Sequence, residues 1–281
     1  MQMTNDIPKV IHYCWFGGNP LGEKELACIE SWRKYLPDYQ IKQWDETNWD
    51  VNCCDYVAEA YEAKKWAFVS DYARFDILYK YGGLYFDTDV EIIKPLDDII
   101  AAGPFMGFET DCPGSGNNMS ADQASNATVA AGLGLSANPG LGLYKTILDA
   151  YKADHFLSAD GGYDQTSVVY RVTGLLRDLG LRDVPGIQEV AGITIYPSEY
   201  FNPKSYLTGV VSLTCNTRSI HHFSMSWLTD KEIAEHDIGA WLRVHRVPGR
   251  IASNLAALVI TLRYCDFKRV LHKLRKDRRI N

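Results

Sequence analysis

The chain has no C-x-x-C pair, no apolar run near the ~18 residues that a membrane helix requires, no internal repeat and no evident interdomain linker. Its seven cysteines lack the spacing of a small disulfide framework, and Cys53 beside Cys54 cannot close an unstrained bridge. Reducing surroundings are therefore expected. The opening MQMTNDIPKV has neither the basic start nor the apolar block of a secretory signal, so the expected location is cytoplasmic, with peripheral work at an inner membrane face. No nucleic-acid motif accompanies the basic residues, which argues against a nucleic-acid partner.

What is present suffices for a large core. The 281 residues are 46% hydrophobic, enough for one sizeable domain with appendages. Charge is unevenly spread. From Arg250 to Asn281 nine Lys or Arg stand against two Asp, a net +7, which leaves −13 on the remainder. An acidic body over residues 1–249 thus carries a basic tail over 250–281. In the tail, Ile251, Leu255, Leu258, Val259 and Leu262, then Phe267, Val270, Leu271 and Leu274, recur at mostly helical spacing, with Arg263, Lys268, Arg269, Lys273 and Arg275 among them. Such a basic amphipathic helix suits either an anionic membrane surface, through residues 251–279, or docking on the protein's own core.

Along the body, KVIHYCWF has strand composition and runs into the turn residues Gly17-Gly18-Asn19-Pro20, after which EKELACIESWRKYL has helical periodicity. YQIKQW predicts another strand, YVAEAYEAKKW and AFVSDYARFDILYKY two helices closed by Gly82-Gly83, and a further strand follows at once. This alternation predicts an α/β fold with a largely parallel sheet, whose ligands sit beyond the carboxyl ends of the strands. Between Thr110 and Gly142 the composition turns to Gly, Ser, Ala and Asn, predicting long loops with a short helix near Ala127 to Leu133. Helices over LGLYKTILDAYKADHF and DQTSVVYRVTGLLRDLG and short strands at ITIYP, VVSLT and RSIHHF complete the expectation.

Chemistry concentrates in YKYGGLYFDTDVEIIKPL, where Asp87, Asp89 and Glu91 alternate. On an extended strand they would share a face ~6.6 Å apart and repel by roughly 2.5 kcal/mol per adjacent pair at an effective dielectric near 20. Water or a cation must answer that repulsion. Asp87-Thr88-Asp89 is a D-x-D, which suits a hard divalent cation such as Mg²⁺ or Mn²⁺ with positions left for phosphate oxygens; a solvated acidic strand end is the plainer reading. Asp71 and Arg74, three apart on the preceding helix, form either an intrahelical ion pair or a polar pair facing a ligand, Arg74 toward a phosphate and Asp71 toward a sugar hydroxyl. SIHHFSMSW adds His221, His222 and Trp227. One histidine is a plausible third ligand, since neighbours on a strand face opposite ways.

PKVIHYCWFGG, SDYARFDILYKYGGLYFDTDV and HHFSMSW, taken together and in order, resemble the family 32 glycosyltransferases with a D-x-D sugar-nucleotide motif. That group includes bacterial capsular-polysaccharide enzymes and yeast initiating mannosyltransferases and is similar to the glucosyltransferase domain of large clostridial toxins. The resemblance implies a GT-A fold, a nucleotide-sugar donor, Mn²⁺ or Mg²⁺, and transfer to a saccharide acceptor with retention of configuration. It implies that Trp15 stacks on the base, that Asp71 and Arg74 contact the sugar and diphosphate region, and that Tyr85 is the aromatic before the D-x-D. Asp87 would touch the ribose and reach the metal through water. Asp89 would bind the metal directly, with His222, or His221 in its place, as a further ligand and Trp227 near the leaving diphosphate. Asn126, Asp164 and Gln165 are the sugar-side or acceptor-side candidates. The donor leans to a uridine diphosphate hexose, with guanosine diphosphate mannose as rival. A lipid-linked saccharide is the expected acceptor if the tail meets a membrane. Two other classes stay open: a nucleotide-sugar-binding protein without turnover, and a D-x-D phosphatase, whose signature wants Thr or Val where this chain has Glu91.

Overall fold

The run KVIHYCWF forms strand β1, Val10–Cys14, and helix α1, Glu23–Tyr35, follows its glycine turn, as seen in a computed structural model that describes residues 7–111, 127–159, 161–225 and 228–264. Next come β2 (Gln40–Trp44), α2 (Asp55–Glu62), α3 (Trp66–Tyr81), β3 (Gly83–Tyr85), β4 (Val90–Ile92) and α4 (Asp97–Ala101). Beyond lie β5 (Phe105–Thr110), β6 (Thr128–Ala130), β7 (Leu135–Ala137), α5 (Gly142–Lys152) and α6 (Val168–Asp178). Then follow β8 (Gln188–Val190), β9 (Ile193–Tyr196), α7 (Ser198–Phe201), β10 (Ser219–His221), α8 (Asp230–Val244) and α9 (Gly249–Tyr264). Two compact units result. One takes in the described residues to Pro203 and Ser212–His222, the other Lys204–Val211 and the described residues from Phe223 onward.

In the first unit one sheet has the order β2-β1-β3-β7, with β1 parallel to β2 and β3, and β7 antiparallel to β3. A second sheet, β6-β5-β9-β8, has one parallel pair, β5 with β9. The architecture is mixed α/β. Both faces of the first sheet are covered, as parallel strands require: Ile11 and Tyr13 pack in a cluster with Trp32 and Phe86, whereas Cys14 joins a second cluster with Tyr72, Phe75 and Tyr144. α1 also pins the small β4–β10 ribbon. Trp32 Nε1 donates to the Val90 carbonyl at 2.7 Å and the Ile92 N–H donates to Ser31 Oγ at 2.9 Å.

Several local expectations change. The D-x-D does not lie on one continuous strand: β3 ends at Tyr85, β4 starts at Val90, and Asp87-Thr88-Asp89 turns between two different sheets. Ala127 to Leu133 holds β6 instead of a short helix, because its small apolar residues pair with β5. VVSLT contributes only a single bridge, Val211 to Lys204, and α8 and β8 were not foreseen. α3 buries Val69, Asp71, Tyr72, Ala73, Arg74, Phe75, Asp76, Ile77 and Leu78, so it is enclosed on nearly all sides where one inward face was expected. Its end follows the glycine expectation. Gly82 and Gly83 sit at φ +64° and +99°, and a side chain on Gly83 would come within 2.5 Å of the Val10 carbonyl. The second compact unit begins ahead of residue 250, since α9 buries Ala252, Ala256 and Ile260 in a hairpin with α8.

A buried histidine ties β1 to β2 and to the end of α3. Trp44 Nε1 donates to His12 Nδ1 at 3.0 Å, and His12 Nε2 lies 3.0 Å from the Gly82 carbonyl. Accepting at Nδ1 assigns the proton to Nε2, so the ring is neutral. Burial lowers its pKa from 6.5 to about 4, against an upward pull from the Gly82 carbonyl. The unfolded chain therefore takes up this proton first. The stability held by the neutral ring is full above pH 6.5 and is lost as pH falls toward 4. Urea unfolding of wild type and His12→Gln should show the wild-type advantage shrinking by on the order of 3 kcal/mol between neutral and acid pH. An advantage that does not move with pH would contradict the buried neutral ring.

Candidate active site

The turn that carries the D-x-D is closed by the Val90 N–H donating to the Asp87 carbonyl at 3.0 Å, and the Asp87 N–H donates to the Gly132 carbonyl at 3.2 Å. A turn gathers carboxylates that a strand would space apart. Antiparallel pairing of β4 with β10 sets Val90 opposite His221, and the His222 N–H donates to the Asp89 carbonyl at 2.9 Å. His221 Nε2 then lies 3.2 Å from Asp89 Oδ1. Asp87, Asp89 and His221 each offer one ligand atom within 4.8 Å of the others. Of the two histidines His221 stands in this cluster, whereas His222 Nε2 sits 2.9 Å from Glu91 Oε2.

Arg74 connects the helix to the turn. Its Nη2 lies 2.9 Å from Asp71 Oδ1 and 3.3 Å from Asp87 Oδ1, its Nε donates to the Ser70 carbonyl at 3.1 Å, and its guanidinium covers the Tyr85 ring at 5.0 Å. Tyr85 OH donates to Asp87 Oδ1 at 3.1 Å. Of the two earlier readings of the Asp71–Arg74 pair the intrahelical ion pair is present, and the same guanidinium also reaches the D-x-D at Asp87. Because Arg74 is almost wholly buried, its charge reaches the site through Asp87. That makes it a positioning residue for the turn.

Electrostatically the site is short of positive charge. Among the described residues the carboxylates of Asp71, Asp87, Asp89 and Glu109 face one guanidinium and one imidazole, and two like unit charges within 4.8 Å repel by about 3.5 kcal/mol or more at an effective dielectric near 20. Burial raises the pKa of Asp87 although Arg74 opposes it, and burial likewise lifts Asp71 to about 6 against the pull of Arg74. Burial disfavours the His221 imidazolium, but the carboxylates of Asp89, Asp87 and Glu109 outweigh it and raise this pKa. A divalent cation would reverse each trend, and protons compete with it for the same atoms. Two carboxylate oxygens and an imidazole nitrogen form a donor set that fits such a cation with coordination positions to spare.

Other expected residues fall at varying distances from this centre. Trp15 follows β1 as Asp87 follows β3, and the parallel register His12↔Tyr85 places both beyond the same sheet edge; its Nε1 donates to the Asn19 carbonyl at 2.6 Å. Asp164 is ion-paired with Arg171, which also holds Asp154 at 2.5 Å, and Arg171 and the Val168 N–H at the start of α6 both lower the pKa of Asp71. Gln165 is exposed in the same loop, while Asn126 and Trp227 lie outside the described residues. Three participants were not anticipated: Gly132, whose carbonyl receives Asp87; half-buried Glu109, whose charge acts on His221; and the Cys14 thiol, raised by burial to about 12 and so chemically quiet. Nothing in a Gly- and Ala-rich stretch distinguishes Gly132 before its contacts are known.

Residues 22–106 match the family model of the glycosyltransferase sugar-binding region containing DXD motif. Two relatives from Schizosaccharomyces pombe are each similar to a part of the chain. Inositol phosphoceramide mannosyltransferase 3 is 35% identical over 98 residues, 34% of this chain and 27% of that protein. Inositol phosphoceramide mannosyltransferase 1 is 32% identical over 121 residues, 40% of this chain and 37% of that protein. The match thus spans roughly a quarter to somewhat over a third of those relatives' lengths. Among solved structures, the PaToxG glycosyltransferase aligns at a TM-score of 0.42 with 17% identity, covering 61% of this chain and 69% of its own. The galactosyltransferase LgtC, solved with donor and acceptor sugar analogues, aligns at 0.42 with 13% identity, covering 88% and 95%.

Proposed function

We propose, from the premise that the chain carries a glycosyltransferase sugar-binding region with a DXD motif, that it transfers a hexosyl group from a nucleotide diphosphate sugar to a saccharide acceptor. The reading includes a GT-A arrangement of the first unit. One observation carries it: the Asp87–Asp89–His221 cluster at a sheet edge, with Arg74 bracing the turn from α3. Asp89 and His221 would hold Mn²⁺ or Mg²⁺, with Asp87 beside it. The cation would supply electrophilic stabilisation for the departing diphosphate. Arg74 and Tyr85 hold the Asp87 carboxylate in place, and Asp71, tied to Arg74 and to the start of α6, lies toward the sugar side. Trp15 at the same edge is the base platform of this reading, and Asp164 and Gln165 border the sugar or acceptor side. We take the transfer to retain configuration by internal return; a trapped glycosyl-enzyme adduct would exclude that route.

For the donor, the two yeast mannosyltransferases to which the chain is similar favour mannosyl transfer, which competes with the uridine diphosphate hexose implied by the toxin-like and capsular resemblance. The acceptor in this reading is a lipid-linked saccharide of a bacterial capsule or other cell-surface polysaccharide, supported by the capsular resemblance and the basic C-terminal end. Incubating the protein with a panel of nucleotide sugars and Mn²⁺ and following nucleotide release by chromatography tests the core of the proposal. Release from one donor that stops on chelation is expected. Phosphate release from simple phosphomonoesters, or tight donor binding with no turnover on any acceptor of a broad panel, would overturn it.

A further inference from the structure

Helix α9 is apolar on two sides. In its hairpin with α8 the small residues Ala252, Ala256 and Ala257, with Ile260, are buried, and a methyl group on Gly239 of α8 would stand in ordinary contact with Ala256, at 3.8 Å. Arg243 of α8 donates to Ser253 of α9 at 2.7 Å. The opposite side carries Ile251, Leu255, Leu258, Val259 and Leu262, all exposed, which at 3.6 residues per turn fall within a stripe of about 100°. No charged residue interrupts that stripe among residues 249–264; Arg263 borders it. At the closed end of the hairpin Trp241 is 61% exposed. A helix that is apolar all round is ordinarily enclosed, and an uninterrupted aliphatic stripe facing water marks a surface that meets something else.

We infer that this stripe lies in the interface of an anionic lipid bilayer, with the hairpin flat on the membrane. Charge selects the partner. The 250–281 segment bears +7 on a protein whose remainder bears −13, so an anionic surface attracts this end and repels the rest, which orients the molecule. Length selects the pose. Sixteen residues of α9 extend about 24 Å, short of the roughly 30 Å hydrocarbon core, and among the described residues no helix is long and apolar enough to cross a membrane. Trp241 suits the headgroup level, where an indole finds both apolar and polar neighbours. The inference is independent of the transferase reading, and its test involves no turnover.

The test is sedimentation of the full chain with vesicles of phosphatidylglycerol in phosphatidylcholine, beside vesicles of phosphatidylcholine alone. Binding to the anionic vesicles, weakened by salt, is expected. The triple variant Leu255→Ser/Leu258→Ser/Leu262→Ser should lower the partition coefficient about ten-fold or more with an unchanged circular dichroism spectrum. Should the triple variant unfold, Leu262→Asp, at a position 60% exposed, takes its place and should show a loss in the same direction. Absence of wild-type binding, or variants that bind as wild type does, would overturn the inference. So would a concentration-dependent dimer in analytical ultracentrifugation that the same variants abolish while vesicles are ignored, since a second copy would then cover the stripe.

Discussion

Replacing Asp89 by asparagine is expected to cut metal-dependent donor turnover by about 10²- to 10³-fold or more, with little change in melting temperature. The two side chains are nearly isosteric, and the backbone of the turn is held by the Val90 N–H on the Asp87 carbonyl and by the His222 N–H on the Asp89 carbonyl. What changes is charge. Of the three ligand atoms grouped within 4.8 Å, two are carboxylate oxygens, and the substitution leaves a single anionic ligand beside a histidine. The His221 pKa should fall as well, because the Asp89 carboxylate is the foremost influence raising it against burial. Nucleotide release and Mn²⁺ titration of both proteins make the check. Turnover equal to wild type, especially in metal-free buffer, would remove the cation from this site.

A second loss of activity at nearly unchanged stability is expected from Gly132→Ala. A methyl group at this position would stand 2.1 Å from Asp87 Oδ2 and 3.1 Å from its Cγ, well inside contact distance. The backbone of Gly132 is not in the left-handed region, so alanine meets no conformational penalty of its own. The conflict falls on the Asp87 carboxylate, which Tyr85 OH and Arg74 hold through its other oxygen. Either the carboxylate turns away from those partners or the 132 segment shifts beneath it. The cation affinity and the donor turnover should drop by roughly 10- to 100-fold, as when groups that orient a metal ligand are lost. The melting temperature should stay near that of wild type. Turnover and metal affinity both at wild-type levels would show that the close approach is not needed.

Much of the first unit was legible in short stretches. β1, α1, β2, α2 and α3 follow from periodicity, turn residues and the Gly82-Gly83 stop, because each depends on neighbours a few residues away. The D-x-D was visible for the same reason, though its conformation was not. Alternating acids read as a strand by a period of two, whereas the chain leaves one sheet at Tyr85 and enters another at Val90. The tail's apolar spacing identified the exposed residues of α9 but not α8, whose packing against Ala252 and Ala256 joins it to the second unit.

The sequence by itself determined the α/β class, the helix that carries Asp71 and Arg74, and the acidic pair that follows the two glycines. All of these are consequences of local stereochemistry and composition. Tertiary structure alone decided that Arg74 answers to both Asp71 and Asp87, that Gly132 lies under the turn, and that His221 rather than His222 joins the carboxylates. Adjacent residues on a strand point to opposite faces, so the choice between two histidines rests on the register of β10 against β4. A slip of one residue would exchange them. That register is set by pairing between segments far apart in the chain, which no local pattern records.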